Sequence, residues 1–103
     1  MKKLINNPLT VVNEMIDGLV AVYPGLVRLR GHTVITRADL PEPRPVAVIS
    51  GGGSGHEPAH AGYVGRGMLS AAVAGDVFTS PAPDAVLAAI RATAGACGAL
   101  LIC

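Results

Sequence analysis

Two histidines four residues apart, His56 and His60, stand directly behind Gly51-Gly52-Gly53-Ser54-Gly55, a stretch with four glycines in five positions. These types and this spacing suit three chemistries. Backbone N–H groups without a Cβ beside them can meet the oxygens of a bound ligand. A histidine at the lip of such a pocket can move a proton on a hydroxyl. The run His56-Glu57-Pro58-Ala59-His60 also satisfies the H-E-x-x-H pattern of zinc peptidases.

Several neighbouring motifs are excluded by single residues. A P-loop requires a lysine that this chain lacks, because no lysine follows Lys3. A dinucleotide fingerprint read from Gly51 requires glycine or alanine at position 56, and a nucleophile elbow centred on Ser54 requires glycine there; both meet His56. A zinc peptidase holds its two histidines on an established helix, whereas Pro58 and the preceding glycines would leave these ligands in a first turn. The expectation is that the chain binds no metal.

What survives is a backbone-lined pocket at the carboxyl end of a strand, where open α/β sheets place their ligands. Four glycines cost ~0.5–1 kcal/mol each relative to alanine, roughly 2–4 kcal/mol together, which a tight structural turn or a ligand cradle would offset. His56 stands at the amino end of the following helix, whose dipole favours a neutral ring able to accept a proton. Glu57 acts in the opposite sense, so the net direction stays open. His60, one turn on, faces similarly or is simply buried.

The flanking pattern supplies the scaffold. Val46-Ala47-Val48-Ile49 is apolar without alternation, as in a strand covered on both faces, and hands over to a turn of glycines. A short helix is expected from Glu57 to about Tyr63. Upstream, Val11, Val12, Met15, Ile16, Leu19 and Val20 mark an amphipathic helix that Thr10 can cap and Tyr23-Pro24-Gly25 ends. Residues 26–30 and 33–36 read as surface strands or extended loop around an exposed His32, and Leu40–Pro45 as an extended connector. Downstream, residues 68–73 predict a strand closed by Ala74-Gly75-Asp76. Ser80 can provide the hydroxyl cap of a helix running to about Thr93, and Ala99–Ile102 predicts a further buried strand. The alternation implies an α/β fold, a layered sheet with helices on both faces.

The 103 residues suffice for one domain, with 50% hydrophobic and 15% charged residues. A net charge of +1 and three aromatic residues argue against nucleic acid as a partner. No stretch reaches the roughly 18 apolar residues of a membrane span, so a soluble, cytoplasmic chain is expected. Cys97 and Cys103 read as buried thiols. The closing run Gly98–Cys103 is apolar and uncapped, which reads as truncation in mid-strand.

Met1–Asn6, Thr36-Arg37-Ala38-Asp39, Ser50–Pro58, Gly62-Tyr63-Val64-Gly65 and Phe78–Asp84 together resemble the amino-terminal part of the substrate-binding, DhaK-type subunit of dihydroxyacetone kinases. The resemblance runs in register along the whole chain and makes residues 1–103 the N-terminal portion of a single DhaK-type domain. It implies that dihydroxyacetone is held by Gly52, Gly53, Ser54, Gly55 and His56, Gly53 above all, and that His56 is the acid–base residue. It implies no cofactor on this chain. The phosphoryl donor, ATP or ADP with Mg or a phosphotransferase-system protein, is held by a nucleotide-binding DhaL-type subunit or domain, and the full-length protein is expected to be a homodimer. A downstream histidine that anchors the ketone covalently, and a lysine and an aspartate just past the last strand, belong to the family pattern beyond Cys103. The fragment alone is thus expected to be inactive. A triose- or sugar-binding sensor of the same fold is the alternative reading, with the H-E-x-x-H peptidase behind it.

Overall fold

The computed structural model describes residues 11–29, 31–54, 59–77 and 81–102. Among them the chain forms α1 (Val11–Val22), β1 (Leu26–Arg28), β2 (Val34–Arg37), β3 (Ala47–Ser54), α2 (Ala59–Gly62), β4 (Ala71–Val77), α3 (Pro83–Thr93) and β5 (Ala99–Ile102). The strands make one sheet in the order β1-β2-β4-β3-β5. The β1/β2 and β2/β4 pairs are antiparallel, while β3 runs parallel to both β4 and β5.

Strand alternation decides which helix each residue meets. Val34, Ala47, Ile49, Ala71 and Val73 point to one face and pack with Ala85 and Ala89 of α3. Ile35 and Ala72 point to the other, where they meet Val12 and Ile16 of α1 and Ala61 of α2. Helices therefore cover both faces of the sheet, as the residue pattern predicts. Alanine at 47, 61, 71, 72, 85 and 89 lets the helices sit close to the strands, and the fully buried Ile16 side chain adds about 1.5–3 kcal/mol.

Several expectations are corrected. Gly51, Gly52, Gly53 and Ser54 are not a turn but the second half of β3, with Gly51 paired to Val73, Gly52 to Ala74 and Ser54 to Val77. Ala74-Gly75-Asp76 does not close β4, because the parallel pairing carries that strand on to Val77. Residues 34–37 are no surface strand: β2 lies between β1 and β4 and is buried along its length. Conversely β5 is not buried. It is an edge strand whose four residues are all exposed, since β3 is its neighbour on one side and α3 packs over β2, β3 and β4. His32 is half-buried rather than exposed, and Cys97 is exposed rather than a core thiol.

Helix α3 begins two residues later than a Ser80 cap would place it. Its N-cap is Ala82, in extended conformation with no side-chain cap, and Pro83 opens the helix, its ring preset for the first turn. The proline connector has a definite task at the other end of this helix. Arg44, held by Glu42 at 3.1 Å, donates from Nη1 to the Ala92 carbonyl at 2.8 Å, satisfying one of the last acceptors of α3. Past the helix, Gly98 turns the chain into β5 at φ +83, a left-handed angle that a side chain would strain. None of the described helices is long and apolar enough to cross a membrane.

Candidate functional site

Because β3, β4 and β5 are parallel, their carboxyl ends, at Ser54, Val77 and Ile102, lie along one edge of the sheet. From β3 the chain passes to α2 on one face and returns to the sheet in β4. From β4 it crosses by α3 on the opposite face to reach β5 on the far side of β3. The carboxyl end of β3 is thus the point where strand order reverses, and there such sheets open a crevice. The glycine run occupies that end.

The two faces of the run differ. Toward α1, Gly52 and Gly53 border a cavity of about 10 Å³ with Met15, Ile16 and Ala61, room for one water at most. Toward α3, Gly51 and Gly52 line an open groove of about 430 Å³ with Pro81, Val86 and Leu101. The uncapped amino end of α3 adjoins this groove through Pro81 and Val86. Ala85 and Val86 already donate to the Ala82 carbonyl, so it is the positive dipole end rather than a row of free N–H groups that favours an oxygen-rich or anionic ligand here.

A larger cavity, about 610 Å³, lies elsewhere, between the end of α1, Tyr23 and the segment from Ala61 to Arg66. Size alone would select it, yet its charged groups are spent on each other. Arg66 Nε lies 3.9 Å from Asp39 Oδ2, and Arg37 Nε donates to Asp39 Oδ1 at 3.2 Å. The hydrogen bond from Arg37 is the main reason that the Asp39 carboxyl titrates below its ordinary value of 3.8. The glycine end of β3 is therefore taken as the candidate site.

Of the residues nominated from sequence, Gly52, Gly53 and Ser54 are brought together in the last part of β3. Gly55 and His56 lie outside the described residues, as do Glu57 and Pro58. His60 belongs to α2. No group of three or more metal-ligating side chains occurs among the described residues. Sequence reasoning did not nominate Pro81, Val86 or Leu101. The proline-rich start of α3 was a usable signal for the first, whereas Leu101 enters the groove only through the placement of β5 beside β3.

Comparison with known proteins agrees with this architecture. The Dak1 domain family model matches residues 17–103. The chain is 56% identical over 103 residues to the PTS-dependent dihydroxyacetone kinase 1, dihydroxyacetone-binding subunit DhaK, of Listeria innocua, covering 99% of this chain and 31% of that protein. The crystal structure of the dihydroxyacetone kinase from C. freundii in complex with AMP-PNP and Mg2+ superposes with a TM-score of 0.89 at 50% identity, over 97% of this chain and 19% of that one. A dihydroxyacetone kinase operon co-activator, Dha-DhaQ, superposes at 0.79 with 43% identity, over 85% of this chain and 27% of that one. The chain thus spans less than a third of the length of these relatives. With sequence motifs, strand order and fold in agreement, it belongs to the Dak1 domain family.

Proposed function

We propose that these residues form one wall of a dihydroxyacetone site in a kinase of this family. The observation that carries the reading is the side-chain-free end of β3, set where the strand order reverses and opening into the groove beside α3. A small polyhydroxy ketone offers oxygens for those backbone N–H groups along Gly52, Gly53, Ser54 and Gly55 that pairing with β4 does not use, and has little bulk to accommodate. The names of the relatives support this choice of ligand.

In this reading His56 is the general base. It removes the proton of the substrate hydroxyl as that oxygen attacks the phosphorus of the donor, and the products are dihydroxyacetone phosphate and the dephosphorylated donor. The donor, ATP with Mg or a phosphotransferase-system protein, is presented by a DhaL-type subunit or domain, and the full-length protein works as a cytoplasmic homodimer. The groups that complete the pocket lie in the parts of the relatives that this chain does not span. A second reading, a triose-sensing module, is favoured by the similarity to the operon co-activator.

Turnover separates the two. The 103 residues mixed with a nucleotide-carrying partner should give none. Within a chain of the relatives' length, His56→Asn should lower kcat by about 10²–10⁴ with little change in KM, the usual contribution of a positioned base. Unchanged kcat in that variant defeats the acid–base role, and a long chain that binds dihydroxyacetone without turnover supports the sensor.

A further inference from the structure

Gly51 lies outside the proposed set of ligand-contacting residues, yet it is tightly confined. A Cβ at position 51 would stand 2.9 Å from the backbone carbonyl oxygen of Val73, 3.2 Å from its Cβ and 3.6 Å from Cγ of Pro81. The first distance is shorter than real Cβ contacts, and the obstacle is backbone, which cannot swing aside as the end of a long side chain does. Gly51 pairs directly with Val73, and the β3/β4 register shifts just beyond it, between Gly52 and Ser54. Close backbone approach of this kind is one of the few reasons for glycine inside a strand.

We propose that Gly51 is a positioning residue: by lacking a side chain it lets β4 close on β3 at Val73, and this approach sets the direction in which the Gly52-Gly53 backbone meets its ligand. The link to a ligand rests on the dihydroxyacetone reading above. The geometric part does not.

A comparison at Gly65 isolates the effect. There an added methyl would meet only the tip of the Met68 side chain, at 3.0 Å, so the intrusion is met by a flexible group. Gly51→Ala must displace β4 or β3. Gly65→Ala need only displace the end of a methionine.

The test uses the 103-residue chain labelled with 15N. Residual dipolar couplings of the Gly52 and Gly53 N–H vectors should change in Gly51→Ala, those of Val48 and Ile49 should not, and Gly65→Ala should leave all four unaltered. Dihydroxyacetone, titrated into the same samples, should bind Gly51→Ala at least about tenfold more weakly than the unmodified chain, a difference of ~1.4 kcal/mol. Unaltered couplings at Gly52 and Gly53, or equal affinity despite altered couplings, would overturn the proposal. Altered couplings in a chain whose unmodified form does not bind dihydroxyacetone would instead sink the functional reading and leave the positioning geometry standing. If Gly51→Ala does not fold, the unmodified chain still decides: a nuclear Overhauser contact between a Gly51 α-proton and the Val73 β-proton is expected, and its absence contradicts the close approach.

Discussion

Two short strands, β2 and β5, exchange the places that their compositions suggest. Val34-Ile35-Thr36-Arg37 mixes apolar with polar residues and ends in a charge, yet it is buried throughout, with Ile35 only 2% exposed. Ala99-Leu100-Leu101-Ile102 is wholly apolar, yet Leu101 is 45% exposed. Sheet order explains the reversal. β2 has a strand on each side and helices over both faces, whereas β5 borders β3 alone. The hydrophobic effect acts on area removed from water, so position in the sheet outweighs the residue type written in the strand.

Paired truncations would break this comparison first. Ile35→Ala should destabilise by about 2–5 kcal/mol, because it leaves a cavity between α1 and the sheet. Leu101→Ala should stay within about 0.5 kcal/mol, as for surface substitutions. Equal losses in urea denaturation would mean that β5 is covered after all.

A smaller effect sharpens the account of how β2 tolerates a buried guanidinium. Arg37 donates from Nε to Asp39 Oδ1 at 3.2 Å and from Nη2 to the Asp39 carbonyl at 3.3 Å. Since the folded chain holds the Asp39 carboxyl below its ordinary 3.8, this contact stabilises the fold above that value and fades as pH falls through the lower, folded one. Asp39→Asn should therefore lower Tm at neutral pH, and the gap to the unmodified chain should narrow on acidification. A gap that does not vary with pH would exclude the charge as its cause. The effect should be modest, because Asp39 is half open to solvent and screened.

The helices were the legible part of this fold. Apolar residues at 3.6-residue spacing placed α1, and the structure extends it only to Val22. The same spacing placed α3, but the prolines hid which residue caps it. Strand extents were less legible because pairing is decided by distant residues. Glycine disfavours strands locally, so Gly51–Gly53 suggest a turn, whereas β4 pairs with Gly51, Gly52 and Ser54 and carries β3 through them. The candidate site was legible as composition, in the glycine run, and illegible as shape. Its groove depends on Pro81 and Leu101, which reach β3 through α3 and the far edge of the sheet.

The central claim is that the glycine end of β3 holds a small polyhydroxy ketone. Titrating the 15N-labelled chain with dihydroxyacetone to roughly 10 mM, a level suited to the weak affinity of a partial site, tests it most directly. Saturable shifts centred on the Gly52 and Gly53 amides, with Gly95 and Gly98 unmoved, are the expected result. Shifts centred on the Asp39 and Arg66 cavity, or no saturable shift at Gly52 and Gly53, would contradict it.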